Sequence, residues 1–218
     1  MNNFKISGGS EGTRITDVKH RYSLIIPNSP NSSELGDIYF YIPSFCVIDK
    51  HTSIPITARG LKDYPIQKNK INPKLQYLDI GAGYAEFTPY LTSLNPTKKP
   101  IVIEPANLDL TGRLLLFAKS NLCDKDQLSK IERLIQRHNI LIDSSKVRLI
   151  NHTLGKAIKE FPDLREIADR VLDRAGPLVY LETEMVMGEQ FSHLPLKQRV
   201  LEMELYLLKD GGELLSFS

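Results

Sequence analysis

The residues best suited to chemistry lie in Leu78-Asp79-Ile80-Gly81-Ala82-Gly83-Tyr84-Ala85-Glu86-Phe87. A hydrophobic run enters a Gly-x-Gly turn, and apolar residues at helical spacing (Phe87, Tyr90, Leu91, Leu94) follow. Glycine is needed where a backbone turns sharply or approaches a ligand, because a Cβ would collide there. A helix starting just beyond presents unpaired N–H groups to whatever lies above the turn. Acids flank the turn at Asp79 and Glu86, and a third, Glu104, ends the next hydrophobic run 21 residues after Gly83. In open α/β sheets such turns, beyond the carboxyl ends of the strands, are where nucleotides bind.

The choice of ligand follows from charge. Dinucleotide binding needs Gly-x-Gly-x-x-Gly, the third glycine letting the helix pack closely beside the pyrophosphate. That third position is Glu86, a carboxylate that is too large and would repel the pyrophosphate, so a nicotinamide oxidoreductase is disfavoured. No Gly-Lys-Ser/Thr follows, so a phosphate loop fails too. A turn rimmed by carboxylates suits a ligand without phosphates and with positive charge. S-adenosylmethionine, with its sulfonium and amino groups, meets both conditions.

Asp79-Ile80-Gly81-Ala82-Gly83-Tyr84-Ala85 resembles the first motif of the class I S-adenosylmethionine-dependent methyltransferases, acidic-x-Gly-x-Gly-x-Gly/Ala. Glu104 stands where that family places the acid that binds the ribose hydroxyls. Leu208-Lys209-Asp210-Gly211-Gly212-Glu213-Leu214 is similar to the family's Leu-x-Pro-Gly-Gly-x-Leu turn, with Asp210 in place of proline. The likeness covers about two thirds of the chain, from Leu75 onward. It implies that Asp79, Gly81, Ala82 and Gly83 surround the methionine part of the cofactor, S-adenosyl-L-methionine. It further implies that Glu104 accepts from the ribose and that Pro105 and Ala106 line the adenine side. At the third strand tip the family often has an acid, and this chain has Asn151-His152-Thr153-Leu154, so Thr153 or His152 takes that place. Glu182 and Thr183 would end the fourth strand, facing the methyl group, as the candidate catalytic pair.

The sulfonium already makes the methyl electrophilic, so the protein's part is to align a nucleophile and exclude water. A base is needed only for a nucleophile that keeps its proton. Glu182, Glu184 and His193 are candidates, and the sequence does not choose among them. Leu181-Glu182-Thr183-Glu184 lacks the Asn/Asp-Pro-Pro-Tyr/Phe tetrapeptide of enzymes that methylate planar exocyclic amines, and no Pro-Cys follows. The methyl acceptor, whether small molecule, protein or RNA, stays open. The competing reading is a non-catalytic ligand-binding or scaffold protein that keeps the fold.

Elements must position these residues. Strand-like runs Tyr77 to Ile80, Ile101 to Glu104, Val147 to Ile150, Leu178 to Leu181 and Glu213 to Phe217 alternate with helical patterns. Leu128, Ile131, Leu134 and Ile135 repeat at helical spacing after the N-cap candidate Asp124, and helices are also expected over Pro162–Leu172 and Leu196–Leu208. Strands separated by helices pair in parallel, with both faces covered. The expected fold is therefore α/β, a Rossmann-like three-layer sandwich with a mostly parallel sheet over residues 71–218. Residues 1–70 form an N-terminal β-containing extension: a loosely ordered start to about Arg14, then strands at Tyr22–Ile26 and Asp37–Ile42 around the turn-forming Pro27–Ser33. An irregular stretch, Lys50–Pro73, completes it. The family's sheet has seven strands, and Ser218 falls at the end of the fifth. Strands six and seven are thus expected to be absent, leaving an exposed apolar sheet edge, so the expectation is either a homodimer through that edge or a marginally stable monomer.

Composition bounds the rest. The 218 residues carry 28 Lys plus Arg against 26 Asp plus Glu, a formal charge of +2, with 41% hydrophobic residues. That balance is globular rather than disordered and too neutral for a strongly basic nucleic-acid binder. Nucleic acid is not the favoured partner, and Lys125, Lys130, Arg133 and Arg137 read as a solvated helix face. Two cysteines, Cys46 and Cys123, are too few for a disulfide framework or a cysteine-built zinc site, so no metal is expected. The N-terminus carries no signal-like apolar core, and no run approaches a membrane span, which points to a cytoplasmic protein.

Overall fold

The computed structural model describes residues 4–9, 12–27, 39–43, 53–57, 60–174, 191 and 193–217. The chain is α/β, with two sheets among these residues. β1 (Phe4–Gly9), β2 (Gly12–Asp17), β3 (Tyr22–Pro27), β4 (Tyr39–Pro43) and β5 (Ser53–Thr57) form an antiparallel meander in sequence order. The expected strand Tyr22–Ile26 matches β3, and the described part of the expected Asp37–Ile42 falls in β4, positions 37 and 38 lying outside the described residues. The start of the chain is a correction, since Phe4–Gly9 and Gly12–Asp17 pair strand to strand, Phe4 opposite Asp17. Pairing through backbone groups makes such polar, glycine-containing segments into strands that show little alternation in sequence. Asp17 closes the β2–β3 turn by accepting from the N–H groups of Lys19 (3.0 Å) and His20 (3.1 Å).

The second sheet is parallel, built from β6 (Tyr77–Ile80), β7 (Ile101–Ile103), β8 (Arg148–Ile150), β9 (Ala168–Arg174) and β10 (Leu208–Phe217) in the order β10-β9-β6-β7-β8. The chain moves outward from β6 to β8, then returns to β9 on the other side of β6. The strand order thus reverses between β6 and β9, in the doubly wound manner of Rossmann-like folds. Helices cover both faces. α4 (Leu154–Glu160) and α5 (Leu196–Leu207) pack on Leu78, Ile80, Ile101, Ile103 and Val171. α1 (Phe87–Ser93) covers Tyr77 and Leu172 on the opposite face. Beside it lie α2 (Leu108–Asn121), which the apolar spacing did not reveal, and α3 (Lys125–Ile142). Asp124 caps α3 as its residue type suggests, accepting from Gln127 N at 2.8 Å.

The meander and the helical layer share one core. Ile15, Leu24 and Ile26 are fully buried with Leu114, Leu115, Ile131 and Leu134 of α2 and α3. The Phe4 ring stacks on Phe117 with centroids 4.7 Å apart. Between the two sheets along the chain, Leu61, Tyr64, Ile66 and Ile71 pack with Phe87 and Leu91, laying that connection over α1.

β9 corrects the expected helix over Pro162–Leu172. Only Pro162–Leu164 makes a short 3-10 turn, and Ala168–Arg174 runs as a strand between β6 and β10. Its charges hide it in the sequence. Asp169 accepts from Gln76 N (2.6 Å) and Lys209 Nζ (2.9 Å), while Arg170 pairs with Glu213 (2.9 Å). These neighbours let a polar start precede the buried Val171 and Leu172. The expected strand Leu178–Leu181 lies outside the described residues, as do Cys46 and positions 28–33 of the turn cluster. The glycine turn before the last strand falls inside β10, where Gly211 has φ 76° and the register shifts between Leu208 and Glu213.

Candidate functional site

β6, β7 and β9 deliver their carboxyl ends side by side, with Asp79 opposite Val102 and Leu172, and Ile80 opposite Ile103 and Asp173. The chain then turns through Gly81 (φ 66°) and Gly83 (φ 53°), both in the left-handed region that a Cβ disfavours. Gly81 N donates to Ile103 O at 2.9 Å. Gly83 N donates to Glu104 Oε2 at 2.7 Å, and Glu104 Oε1 accepts from Ala106 N at 2.9 Å. The two pieces of sequence separated by 21 residues are therefore joined by a direct bond.

Asp79 sits under the turn. Its Oδ2 accepts from Thr88 Oγ1 (3.0 Å) and Tyr64 Oη (3.3 Å), while its Oδ1 is buried without a hydrogen-bond partner. Burial pushes the carboxyl up to about 7, the two hydroxyls pull it down, and the nearby Glu104 and Asp173 carboxylates raise it again. Glu104 is also raised by burial, against the opposing pull of the Gly83 and Ala106 N–H groups. Asp79 is 1% and Glu104 4% exposed.

On the other side of the sheet tip, Asp173 of β9 faces Glu204 of α5. Burial, then the Asp173 charge and a carboxyl–carboxyl contact, push Glu204 up to about 10. Neither Glu204 oxygen has a hydrogen-bond partner, so burial and the neighbouring acid both favour its protonated form.

The remaining expected residues are placed as follows. Ala82 is buried against the α2 side and Pro105 is half-buried beside Glu104. Thr153 caps α4, its hydroxyl accepting from Lys156 N at 3.4 Å, and His152 pairs with Glu160 at 3.0 Å. Asn151, just before them, donates from Nδ2 to the carbonyl oxygens of both Glu104 and Ala106 at 2.6 Å. Glu182, Thr183 and Glu184 lie outside the described residues, and the strand beside β6 is β9, so Asp173 holds the strand position assigned to them. His193 is exposed.

Glu86 precedes α1, and its Oε2 accepts from Leu61 N at 3.0 Å, tying the end of the turn to the connection over α1. The solvated-face reading of α3 is corrected at two residues. Lys130 is buried, and Arg137 is 13% exposed with Nη1 donating to Tyr84 O at 2.9 Å. Tyr84 itself is fully buried, its hydroxyl bonded to Thr111 Oγ1 and to His138 Nδ1. Asp173 had one sequence signal, an acid directly after two apolar residues as in Leu78-Asp79. Arg137, His138 and Asn151 had none, because each acts across the fold.

Comparison with protein-family models, curated proteins and solved structures gives no match to this chain. Among the described residues no helix is long and apolar enough to cross a membrane.

Proposed function

We propose that this protein binds S-adenosyl-L-methionine at the Gly81–Gly83 turn and transfers its methyl group to an acceptor. One observation supports this reading above the others: the acid at the tip of β7 folds back onto the glycine turn, Glu104 Oε2 to Gly83 N at 2.7 Å. A carboxylate offers about four lone-pair positions, and the Gly83 and Ala106 N–H groups occupy two. Two remain for a vicinal pair of ribose hydroxyls. Asp79 supplies the second support, since its Oδ1 is a buried acceptor with no donor, beside a turn already rimmed with acids. An unmet buried acceptor is costly, and a ligand ammonium or sulfonium would offset that cost.

Both acids are almost inaccessible, Asp79 at 1% and Glu104 at 4%, so a ligand reaches them only when covering side chains move aside. The same burial favours a second reading, a protein that keeps the fold without methyl transfer. Methyl transfer needs no metal or oxidant, because the sulfonium carries the leaving group and the site has only to align the acceptor and exclude water. Asp173, opposite Ile80, is the acid that β9 places beside the end of β6.

Calorimetry with S-adenosylhomocysteine tests the site. The wild-type chain is expected to bind it in preference to NAD, and Glu104→Ala and Asp79→Ala are each expected to weaken binding at least tenfold. Wild-type protein that binds neither, or affinities untouched by both substitutions, removes the assignment. Methyl release from labelled cofactor in cell extract then separates an enzyme from a binding protein.

A further inference from the structure

The Gly81–Ala85 turn has one backbone bond of its own, Ala85 N to Ala82 O at 3.1 Å, while its two glycines at positive φ carry a large conformational entropy. α3 grips it twice, through adjacent residues. Arg137 Nη1 donates to the Tyr84 carbonyl (2.9 Å), and Nη2 lies 3.8 Å from Glu86 Oε2. His138 Nδ1 lies 2.9 Å from the Tyr84 hydroxyl. Neighbouring residues on a helix point about 100° apart, yet Arg137 and His138 both meet Tyr84, one at its carbonyl and one at its hydroxyl.

One proton arrangement satisfies every member of this network. With the Thr111 hydroxyl donating to Leu108 O at 3.1 Å, Thr111 meets Tyr84 as an acceptor. In that arrangement the Tyr84 proton goes to Thr111, and the Tyr84 oxygen accepts from a protonated His138 Nδ1. Burial lowers the imidazole's pKa, opposed by Asp109, which favours the neutral ring. A neutral ring in this chain is the Nδ1–H tautomer. Its Nε2 lies against Gly112, 2.7 Å from where a Cβ on that residue would stand.

We propose that Arg137 and His138 are positioning residues for the glycine turn, acting through Tyr84 to keep the Gly83 N–H on Glu104 and so to set the shape that accepts the ligand. The consequence for ligand affinity rests on the cofactor reading above; the consequence for the turn does not.

The test uses the full chain with Tyr84→Phe, Arg137→Met and His138→Gln, the last retaining a side-chain donor. Amide hydrogen exchange at Gly83 is expected to speed up at least tenfold in Tyr84→Phe and in Arg137→Met. The amides of Val171 and Leu172 in β9 should keep their wild-type rates, and His138→Gln should retain most of the wild-type Gly83 protection. In the wild-type protein, ring-nitrogen NMR should show His138 protonated at Nδ1. Unchanged Gly83 exchange in both disruptive variants, equal acceleration throughout β9, or an Nε2–H ring would each overturn the proposal. If wild type binds S-adenosylhomocysteine, its Kd should rise about tenfold in Tyr84→Phe, and an unchanged Kd overturns the proposal. If wild type does not bind it but the exchange pattern holds, the cofactor reading fails and the positioning role stands.

Discussion

Replacing Asp79 by asparagine should stabilise the fold at neutral pH while abolishing ligand binding. The carboxyl is 1% exposed and its pKa is pushed from 3.8 up to about 7, chiefly by burial. Each unit corresponds to about 1.4 kcal/mol, so holding the ionised form in the folded chain costs up to about 4 kcal/mol. Because the folded value lies above the unfolded one, the stability contributed by the protonated acid is complete below about pH 4. It is lost progressively as pH rises through about 7. Asparagine keeps the oxygen that accepts from Thr88 and Tyr64 but places an NH2 where Oδ1 has no partner, a buried donor costing about 1–3 kcal/mol. The net expectation is stabilisation of roughly 1–3 kcal/mol at pH 8 and a difference within about 1 kcal/mol at pH 4, where the protonated acid leaves its own O–H as unmet as the amide. Urea unfolding of both proteins at the two pH values measures this directly. A difference of the same sign and size at both would show that Asp79 is not a strained carboxylate, and the account of the site's electrostatics would fail.

Two further outcomes follow from the packing. Alanine usually improves on glycine inside a helix by about 1 kcal/mol, yet Gly112→Ala should destabilise by about 1–3 kcal/mol because the new methyl meets the His138 ring, which the Tyr84 bond holds in place. In a His138→Ala background the same change should become neutral or stabilising, as a double-mutant cycle in thermal unfolding would show. Glu204 is raised from 4.5 to about 10, so the stability its protonated form contributes is complete below about pH 4.5 and is lost progressively as pH rises toward about 10. Glu204→Gln carries no such loss, so its melting temperature relative to wild type should rise steadily from about pH 5 to about pH 10. A large loss at pH 7 would mean that Glu204 is ionised in the folded chain.

Much of the site's location was legible from local chemistry. Gly81 and Gly83 take the left-handed angles that their lack of a Cβ suggests, Asp124 caps α3, and Leu78-Asp79-Ile80 is a strand leading into the turn. These are properties of a few adjacent residues and need no knowledge of the rest of the fold. The parallel sheet was legible in the same way, from short apolar runs separated by helical spacing. β9 was not, because its leading Asp169 and Arg170 look like helix surface until Gln76, Lys209 and Glu213 are beside them.

The sequence by itself determined where the glycine turn lies and which acids flank it, since backbone preference and strand ends are local. Only the tertiary structure decided what those groups do to one another. It closed Glu104 onto Gly83, buried Asp79 beside two other acids, and brought Arg137 and His138 across from α3 to Tyr84. Each of those effects depends on distance and on exclusion of water, and neither quantity exists until helices and strands far apart in the chain have packed together.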